Sequence, residues 1–301
     1  MHVVRTVDEM EHERRQWTGQ VGFVPTMGYL HEGHASLVQR ARAENAVLVS
    51  SIFVNPTQFA PHEDLEHYPR DLEHDLHMLE TLGVDSVFTP SAEEMYPPGF
   101  TTYVEPVGPL AVAAEAASRP GHFRGVSTVV LKLFQIVQPH LAYFGQKDAQ
   151  QVAVIAHMVK DFHLSTRLRV LATVREADGL ALSSRNSYLD PSSRRAASVL
   201  YRALQAGRSV FADQPAAGPR AVIQAMSDIV AGERLAQLEY AEVRDAMSFQ
   251  LLETLRSPAL LLLAVSIGST RLIDNFALHP DGTWETGILT SPSAKGGIEQ
   301  R

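Results

Sequence analysis

The chain has 301 residues, of which 45% are hydrophobic and 20% are charged, enough for a globular protein with a substantial core. Its 26 lysines and arginines against 34 aspartates and glutamates give a net charge of −8, which argues against a broad nucleic-acid-binding surface. The absence of cysteine excludes disulfides, zinc–thiolate sites and cysteine nucleophiles, and it suits the reducing cytoplasm, where we expect the protein. The longest apolar run, Ala259 to Val265, is too short to span a bilayer, so we expect no membrane partner.

Short β-rich runs alternate with helix-periodic stretches between residue 20 and about residue 175. The predicted strands are VGFVPT, AVLVSSIFV, DSVFTP and LAYFG, and apolar residues recur between them at helical spacing, as at Leu72, Leu76 and Leu79. Strands that alternate with helices indicate right-handed βαβ units. We therefore predict an α/β fold, with a doubly wound parallel-sheet (Rossmann-like) N-terminal domain over residues 1–174.

The pattern changes near residue 175. Asp178-Gly179 is a tight-turn signal, Asp190-Pro191 supplies an N-cap and a first-turn proline for a helix through Leu204, and Pro219 begins another helix. The later runs LEYAEVRD, ALLLLAVSI and TRLIDNF are typical of strands. Helices followed by strands predict a smaller α+β domain over residues 175–285, and we expect a poorly ordered tail over residues 286–301.

Two histidines follow the strand VGFVPT in the sequence PTMGYLHEGHASLV. At a strand-to-helix junction, His31 and His34 can donate hydrogen bonds to a phosphate, and Gly28 and Gly33 leave room for a nucleotide. A metal site is one alternative, but no third ligand stands at a recognisable spacing. The other alternative is that the two histidines only cap the helix. The position favours phosphate.

Amide side chains follow the next predicted strand, in SIFVNPTQF. Asn55 and Gln58 can bind hydroxyls and a carboxylate without the cost of burying a charge. The alternative is an Asn-Pro turn with surface amides, which is favoured for Asn55 alone. Gln58 is the better candidate for a substrate contact.

The segment YFGQKDAQQ repeats this arrangement at a third strand, which we expect to end at Gly145. Asp148 is placed to cap the following helix. Lys147 is a cation beside the N-terminus of that helix, which is a favourable position for binding phosphates. We expect Gln151 at the same edge of the sheet. A capped helix with a surface lysine is an equally good interpretation of this segment alone.

Two further segments carry cations. Ser183, Ser184 and Arg185 in LSSRN can grip a phosphate from a second side, although a turn rich in serine and asparagine is the simpler interpretation. Arg119 and His122 lie in the glycine-containing loop RPGHFRGV, which is either an anion site or a basic loop. The sequence has no P-loop lysine motif and no G-x-G-x-x-G after VGFVPT, so kinase-type and dinucleotide sites lose support.

Together these segments resemble the pantothenate synthetase (pantoate–β-alanine ligase) family of the HIGH-type nucleotidyltransferase superfamily. The resemblance rests on seven segments in consistent order between about residues 20 and 275, namely PTMGYLHEGHASLV, SIFVNPTQF, HYPRDLEHD, RPGHFRGV, YFGQKDAQQ, VREADGLALSSRNSYL and GSTRLIDN. It implies an ATP-dependent acid–amine ligase that joins (R)-pantoate and β-alanine through a pantoyl adenylate and releases AMP and pyrophosphate. It also implies Mg²⁺ with the ATP substrate, a homodimer, a domain over residues 1–174 that binds the nucleotide and pantoate, and a lid-like domain over residues 175–285. From the net charge we expect no nucleic-acid partner.

The resemblance also implies roles for individual residues. The catalytic residues would be His31, His34, Lys147, Ser183, Ser184 and Arg185. The ATP site would comprise Met27, Gly28, Gly33, His34, Gly145, Lys147, Asp148, Leu182, Ser183 and Arg185. Gln58 and Gln151 would bind pantoate, Arg119 and His122 would lie in the phosphate or β-alanine region, and Asp75 matches the position linked to magnesium.

Four residues depart from the family pattern without removing a catalytic group. They are Tyr29, Asp71, Ala149 and Ser266, where the family usually has a small residue, threonine, an aromatic residue and arginine. Two other functions stay open from the sequence. A cytidylyl- or adenylyltransferase of the same superfamily is disfavoured by the two glutamines and by SSRN. A non-catalytic nucleotide-binding or scaffold protein is disfavoured by the full set of phosphate-facing residues.

Overall fold

The computed structural model describes residues 1–61 and 63–290. They form two compact units, Met1–Leu171 and a second that begins at Ala172. This boundary lies slightly before the predicted one at residue 175, because the short strand that contains Val174 and Arg175 pairs within the second unit. No helix in the described ranges has the length and apolarity needed to cross a membrane.

The first unit is built on a parallel sheet. Its strands are β1 (His2–Val4), β2 (Val21–Thr26), β3 (Val47–Ile52), β4 (Ser86–Phe88), β5 (Leu141–Gly145) and β6 (Arg167–Leu171), in the spatial order β1-β4-β3-β2-β5-β6. Every neighbouring pair is parallel. Because helices cover both faces of such a sheet, β2, β3 and β5 are near-continuous runs of buried residues.

Helices connect these strands. They are α1 (Val7–Gln16), α2 (Glu32–Glu44), α3 (Leu72–Thr81), α4 (Ala92–Met95), α5 (Pro109–Val112), α6 (Glu115–Ser118), α7 (His122–Val137) and α8 (Ala149–Asp161). Short 3-10 turns at Pro56–Gln58 and Gln146–Asp148 follow β3 and β5. The Rossmann-like architecture predicted from the sequence is confirmed.

The strand order places a topological switch between β2 and β5. From β2 the chain adds β3 and then β4 on one side, whereas β5 and β6 lie on the other. In open parallel sheets, ligands bind beyond the carboxyl ends of the strands at such a switch. The histidine pair follows β2 and Lys147 follows β5, so the fold brings these candidates to this edge.

The second unit has an antiparallel sheet in the order β11-β10-β9-β8. Its elements are β7 (Val174–Arg175), α9 (Pro191–Ala196), α10 (Val199–Asp213), α11 (Gly218–Ala231), β8 (Ala236–Asp245), β9 (Ala259–Ile267), β10 (Thr270–Leu278), β11 (Trp284–Glu285) and β12 (Ile288–Leu289). One core joins α10 and α11 to the sheet through residues such as Leu204, Met226, Leu261 and Phe276. The α+β architecture predicted for this part is confirmed.

Three details differ from the sequence-based expectations. β1 and the exposed edge strand β6 were not predicted, because a three-residue strand and a charged edge carry little apolar pattern. The helix expected through Leu204 is divided into α9 and α10. The tail predicted from residue 286 begins with β12, which pairs with β7 through backbone hydrogen bonds that two residues cannot reveal in a sequence. Residues 291–301 of that prediction lie outside the described residues.

Candidate active site

The loop that follows β2 is held by a buried carboxylate. Asp75 on α3 is 1% exposed, and its two oxygens accept the backbone N–H groups of Tyr29 and Leu30 at 2.7 Å each. Gly28 and Tyr29 both have positive φ angles, and a Cβ atom on Gly28 would lie 2.9 Å from the Asp75 carboxylate. The tight loop therefore requires both the glycine and the carboxylate, and it delivers the chain to His31.

This arrangement gives Asp75 a structural role in the loop, and its predicted role at a metal stays a prediction. Both of its oxygens are already used by backbone groups, and burial raises its pKa although those backbone N–H groups oppose the effect. Within residues 1–61 and 63–290, no three His, Asp or Glu side chains are arranged to hold a metal ion. Asp75 therefore anchors the loop, with each of its oxygens accepting one backbone hydrogen bond.

The histidine pair caps α2. His31 is the N-cap residue, and its Nδ1 accepts the N–H of Gly33 at 3.1 Å. The Nδ1 atom of His34 accepts the N–H of His31 at 3.3 Å, and the two ring centroids are 4.1 Å apart. The capping role that was an alternative to phosphate binding is therefore present in the structure. It does not exclude phosphate binding, because it uses only one nitrogen of each ring.

The caps also fix which nitrogen carries the proton. Burial, with the Lys147 charge adding to it, lowers the pKa of His31 to about 4. Burial and the neighbouring His31 and Lys147 lower the pKa of His34 well below its usual value. At neutral pH both rings are uncharged. An uncharged imidazole that accepts at Nδ1 carries its hydrogen at Nε2, so each ring retains an N–H donor for a ligand.

Lys147 stands in the turn Gln146–Asp148, directly after β5. Its positive charge contributes to the lowered pKa of both histidines, and β2 and β5 are neighbouring strands of the sheet. The predicted cap by Asp148 is absent: Asp148 occupies the N-cap position of α8, but its side chain makes no capping hydrogen bond. Its carboxylate instead lies 3.3 Å from the Lys147 ammonium group, because the side chain turns toward that charge.

The two amides after β3 have different environments from one another. Asn55 is buried and its amide is used within the protein. It accepts the Tyr96 hydroxyl at 2.8 Å and donates to the Gly125 carbonyl at 3.2 Å. It also donates to Oε1 of Gln58 at 3.1 Å, which leaves the Gln58 Nε2 group directed at the Met27 sulfur, 3.0 Å away. Asn55 thus orients Gln58 with its amide nitrogen turned toward the loop after β2.

Neighbouring glutamines on α8 also differ. Gln150 is buried, accepts the Glu115 N–H and donates to the Leu110 and Ala113 carbonyls, so its amide is fully used within the protein. Gln151 is half-buried, and its amide makes no hydrogen bond within the described residues. Of the pair, Gln151 is the one able to bind a ligand.

The structure places Arg119 and His122 against other protein groups. Arg119 binds the Glu63 carboxylate through two nitrogens, at 2.9 and 2.6 Å, and His122 contacts the Gln58 carbonyl at 2.9 Å. Both side chains thus contact the segment around Gln58, and their predicted position in the phosphate or β-alanine region stays a prediction.

The candidate residues of the second unit lie on a hairpin and the turn that follows it. Leu182 donates to the Val174 carbonyl at 2.9 Å, which ties it to β7. Ser183 is the N-cap of a 3-10 turn, Ser184–Tyr188, and its hydroxyl accepts the Arg185 N–H at 3.3 Å. Ser183, Ser184 and Arg185 are half-buried. They form one short segment with an internal hydrogen bond, and their predicted contact with phosphate stays a prediction.

Tyr96 and Glu63 carried no signal in the sequence, although they support this site. Burial raises the pKa of Tyr96 to about 12, so its hydroxyl remains a donor to Asn55. Neither stands in a recognisable motif, and only the tertiary contacts reveal them.

Departures from the family pattern have local explanations. Asp71 is the N-cap of α3 and accepts the His74 N–H at 3.1 Å, a role that threonine also fills. Ala149 is buried at the start of α8. Ser266 donates to Glu239 at 2.7 Å, and Arg271 binds the other oxygen of that carboxylate.

Comparisons with known proteins show the family to which the chain belongs. A family model described as pantoate-beta-alanine ligase matches residues 2–277. A pantothenate synthetase from Roseiflexus sp. (strain RS-1) is 55% identical over 282 residues, which cover 93% of this chain and 100% of the relative. The crystal structure of pantothenate synthetase from Thermus thermophilus has a TM-score of 0.88 at 46% identity, covering 93% of this chain and 100% of that one.

A second solved structure was determined with small molecules bound. It is the pantoate-beta-alanine ligase from Francisella tularensis complexed with beta-gamma ATP and beta-alanine, with a TM-score of 0.76 at 37% identity. It covers 92% of this chain and 97% of that chain. The family model spans most of the sequence, and the relatives are matched over nearly their full length. The chain therefore belongs to the pantoate–β-alanine ligase family.

Proposed function

We propose that the protein catalyses the ATP-dependent ligation of (R)-pantoate and β-alanine to pantothenate, through pantoyl adenylate, with release of pyrophosphate and then AMP. Family membership supports the reaction. The observation that carries it is the histidine pair at the switch between β2 and β5, with one Nε2–H donor on each ring and the Lys147 ammonium group nearby. Fixed donors beside a cation suit a phosphate ligand.

The first step needs charge stabilisation more than proton transfer. A carboxylate oxygen of pantoate attacks the α-phosphorus of ATP, a new O–P bond forms, and the bond to the pyrophosphate oxygen breaks. Negative charge develops on the phosphate oxygens, which the Nε2–H groups of His31 and His34 and the Lys147 cation would stabilise. Neutral histidines suit this role, since they serve as fixed donors and lose no proton.

The remaining candidates would orient the substrates. Gln58 and Gln151 would bind the hydroxyls and the carboxylate of pantoate, supported by the amide nitrogen that Asn55 orients and by the available amide of Gln151. Met27, Gly28, Gly33, Gly145, Asp148 and Leu182 would lie along the nucleotide. Ser183, Ser184 and Arg185 would bind its phosphates. Mg²⁺ would enter with ATP as part of the substrate, because Asp75 is committed to the loop after β2.

In the second step the amine of β-alanine attacks the acyl carbon of the adenylate. A C–N bond forms, the mixed-anhydride C–O bond breaks, AMP departs and the amine loses one proton to solvent. Because the adenylate is already activated, we assign no protein base to this step. We also infer a homodimer and a cytoplasmic location; the family resemblance and the absence of cysteine support these two inferences.

One assay tests the proposal directly. Purified protein is given ATP, labelled pyrophosphate and pantoate, and the exchange of label into ATP is followed with and without β-alanine. We expect exchange that depends on pantoate, and pantothenate only when β-alanine is present. Exchange with no need for pantoate, or none at all, would refute the ligase assignment.

A further inference from the structure

His122 holds the backbone of Gln58. The ring is 8% exposed, and its Nδ1 lies 2.9 Å from the Gln58 carbonyl oxygen. A carbonyl oxygen can only accept, so Nδ1 carries the hydrogen of this bond. The bond therefore fixes the main chain at the residue whose amide is proposed to bind pantoate.

Arg119 determines which nitrogen of His122 carries that hydrogen. Its Nη1 lies 3.1 Å from His122 Nε2, and a guanidinium group can only donate, so Nε2 must be the acceptor. The rest of the guanidinium is used by the Glu63 carboxylate and by a longer contact, 3.4 Å, to the same Gln58 carbonyl. Arg119 thus keeps His122 in the tautomer that donates to Gln58.

The first turn of α7 supports Gln58 from behind as well. Gly125 packs so closely that a Cβ atom there would collide with the Thr57 carbonyl oxygen and would lie 2.6 Å from the Gln58 Cα atom. The Gly125 carbonyl accepts a hydrogen bond from Asn55, which also orients the Gln58 amide. The backbone of Gln58 is therefore fixed by His122 and Gly125, and its side chain by Asn55.

We propose that His122, locked by Arg119, is a positioning residue that acts on pantoate through Gln58 and does not contact β-alanine or the phosphates of ATP. Both ring nitrogens already have protein partners, which leaves no donor or acceptor for a substrate. The inference rests on the proposed function, because it assumes that Gln58 binds pantoate. It predicts an effect on one substrate out of three.

Two substitutions of His122 test the roles of its two ring nitrogens separately. The amide nitrogen of asparagine occupies the place of Nδ1, so His122→Asn keeps a donor for the Gln58 carbonyl. His122→Gln places its amide nearer to the former Nε2 and loses that bond. We expect His122→Gln to raise the KM for pantoate about 10-fold, as for loss of one positioning hydrogen bond, with the KM values for ATP and β-alanine unchanged. His122→Asn should restore most of the affinity for pantoate.

His157→Ala is a matched control. The ring of His157 donates to the Ala153 carbonyl at 2.9 Å, the same bond length as in His122, but on α8. It should leave the KM for pantoate unchanged. All variants are assayed well below their melting temperatures, and circular dichroism confirms that they fold.

The result that would overturn the proposal is a rise in the KM for β-alanine or ATP while the KM for pantoate stays unchanged, because His122 would then not act on pantoate through Gln58. Equal effects of the asparagine and glutamine variants would also overturn it, since a purely structural role does not distinguish the two nitrogens. If the unmodified protein shows no pantoate-dependent exchange, the proposed function itself is wrong, which is a separate outcome.

Discussion

The two regions proposed to handle ATP hold their polar groups by different means. In the unit Met1–Leu171, the supporting side chains of the loops after β2 and β3 include neutral groups, such as His31, Asn55 and His122, that bond to nearby backbone. In the unit that begins at Ala172, the hairpin that leads into Ser183–Arg185 is anchored by a buried ion pair between Arg175 and Asp274, residues 99 positions apart.

Arg175 uses all five of its N–H donors. They reach the Asp274 carboxylate twice and the carbonyl oxygens of Gly179, Asn275 and Thr286. The Tyr201 and Phe276 rings lie 5.1 and 5.3 Å from its guanidinium carbon. One residue thus connects the hairpin turn, β10 and the segment before β12. The loops after β2 and β3 are thus held by several hydrogen bonds to backbone groups, whereas the hairpin before Ser183 depends on one buried ion pair.

Breaking this anchor is expected to have the largest effect. Arg175→Met leaves the Asp274 charge buried without its cationic partner, so we expect the free energy of unfolding to fall by about 3–5 kcal/mol in urea denaturation. Arg15→Met is the control, because Arg15 forms only an exposed pair with Glu11, and it should cost less than about 0.5 kcal/mol. A loss below about 1 kcal/mol for Arg175→Met would mean that the hairpin does not depend on the ion pair.

The histidine pair should give the largest effect on chemistry. His34→Ala removes an Nε2–H donor, and we expect pantoate-dependent pyrophosphate exchange to slow about 100- to 1000-fold. Stability should change by roughly 1 kcal/mol or less, because only a 3.3 Å cap bond is lost. His77→Ala, at an exposed histidine of α3, is the control. Near-normal burst formation of the adenylate by His34→Ala would remove the catalytic role.

Much of the first unit could be predicted from its sequence because the signals are local. Apolar runs indicated β2, β3 and β5, and strand ends identified His31, Gln58 and Lys147 as groups at one sheet edge. The roles of Asp75, His122 and Asp148 could not be predicted. Whether a polar side chain faces a substrate or a backbone group depends on residues up to 64 positions away, as for His122 and Gln58.

The second unit shows the same limit more strongly. Its strands and turn residues could be predicted from the sequence. The contacts of Arg175, however, join residues about 100 positions apart, and β12 is too short to show a hydrophobic pattern. Side-chain partners of this kind follow from the fold and cannot be obtained from spacing.

A pH experiment tests whether His122 is uncharged in the folded protein. Burial, with the Arg119 charge adding to it, lowers the pKa of His122 to about 4. Between pH 6.5 and 4 the unfolded chain binds a proton at this residue and the folded chain does not, so stability falls as the pH is lowered through that window. From about pH 7 to about pH 5 the unmodified protein should lose about 2 kcal/mol more than His122→Asn, measured by urea denaturation. Equal losses would show that the ring is protonated in the folded protein.

The smallest expected effect is at Asp75. Its substitution tests whether this carboxylate anchors the loop after β2 or binds a metal. In Asp75→Asn the side chain keeps its size but has one oxygen for the two N–H groups of Tyr29 and Leu30, so the loop before His31 should loosen. We expect the KM for ATP to rise about 10-fold, with an unchanged Mg²⁺ concentration for half-maximal exchange. Glu73→Gln, an exposed acid on the same helix, is the control and should change neither value. A large shift in the Mg²⁺ requirement of Asp75→Asn alone would instead make Asp75 a metal ligand. The loop after β2 would then be held by a carboxylate that it shares with a cation.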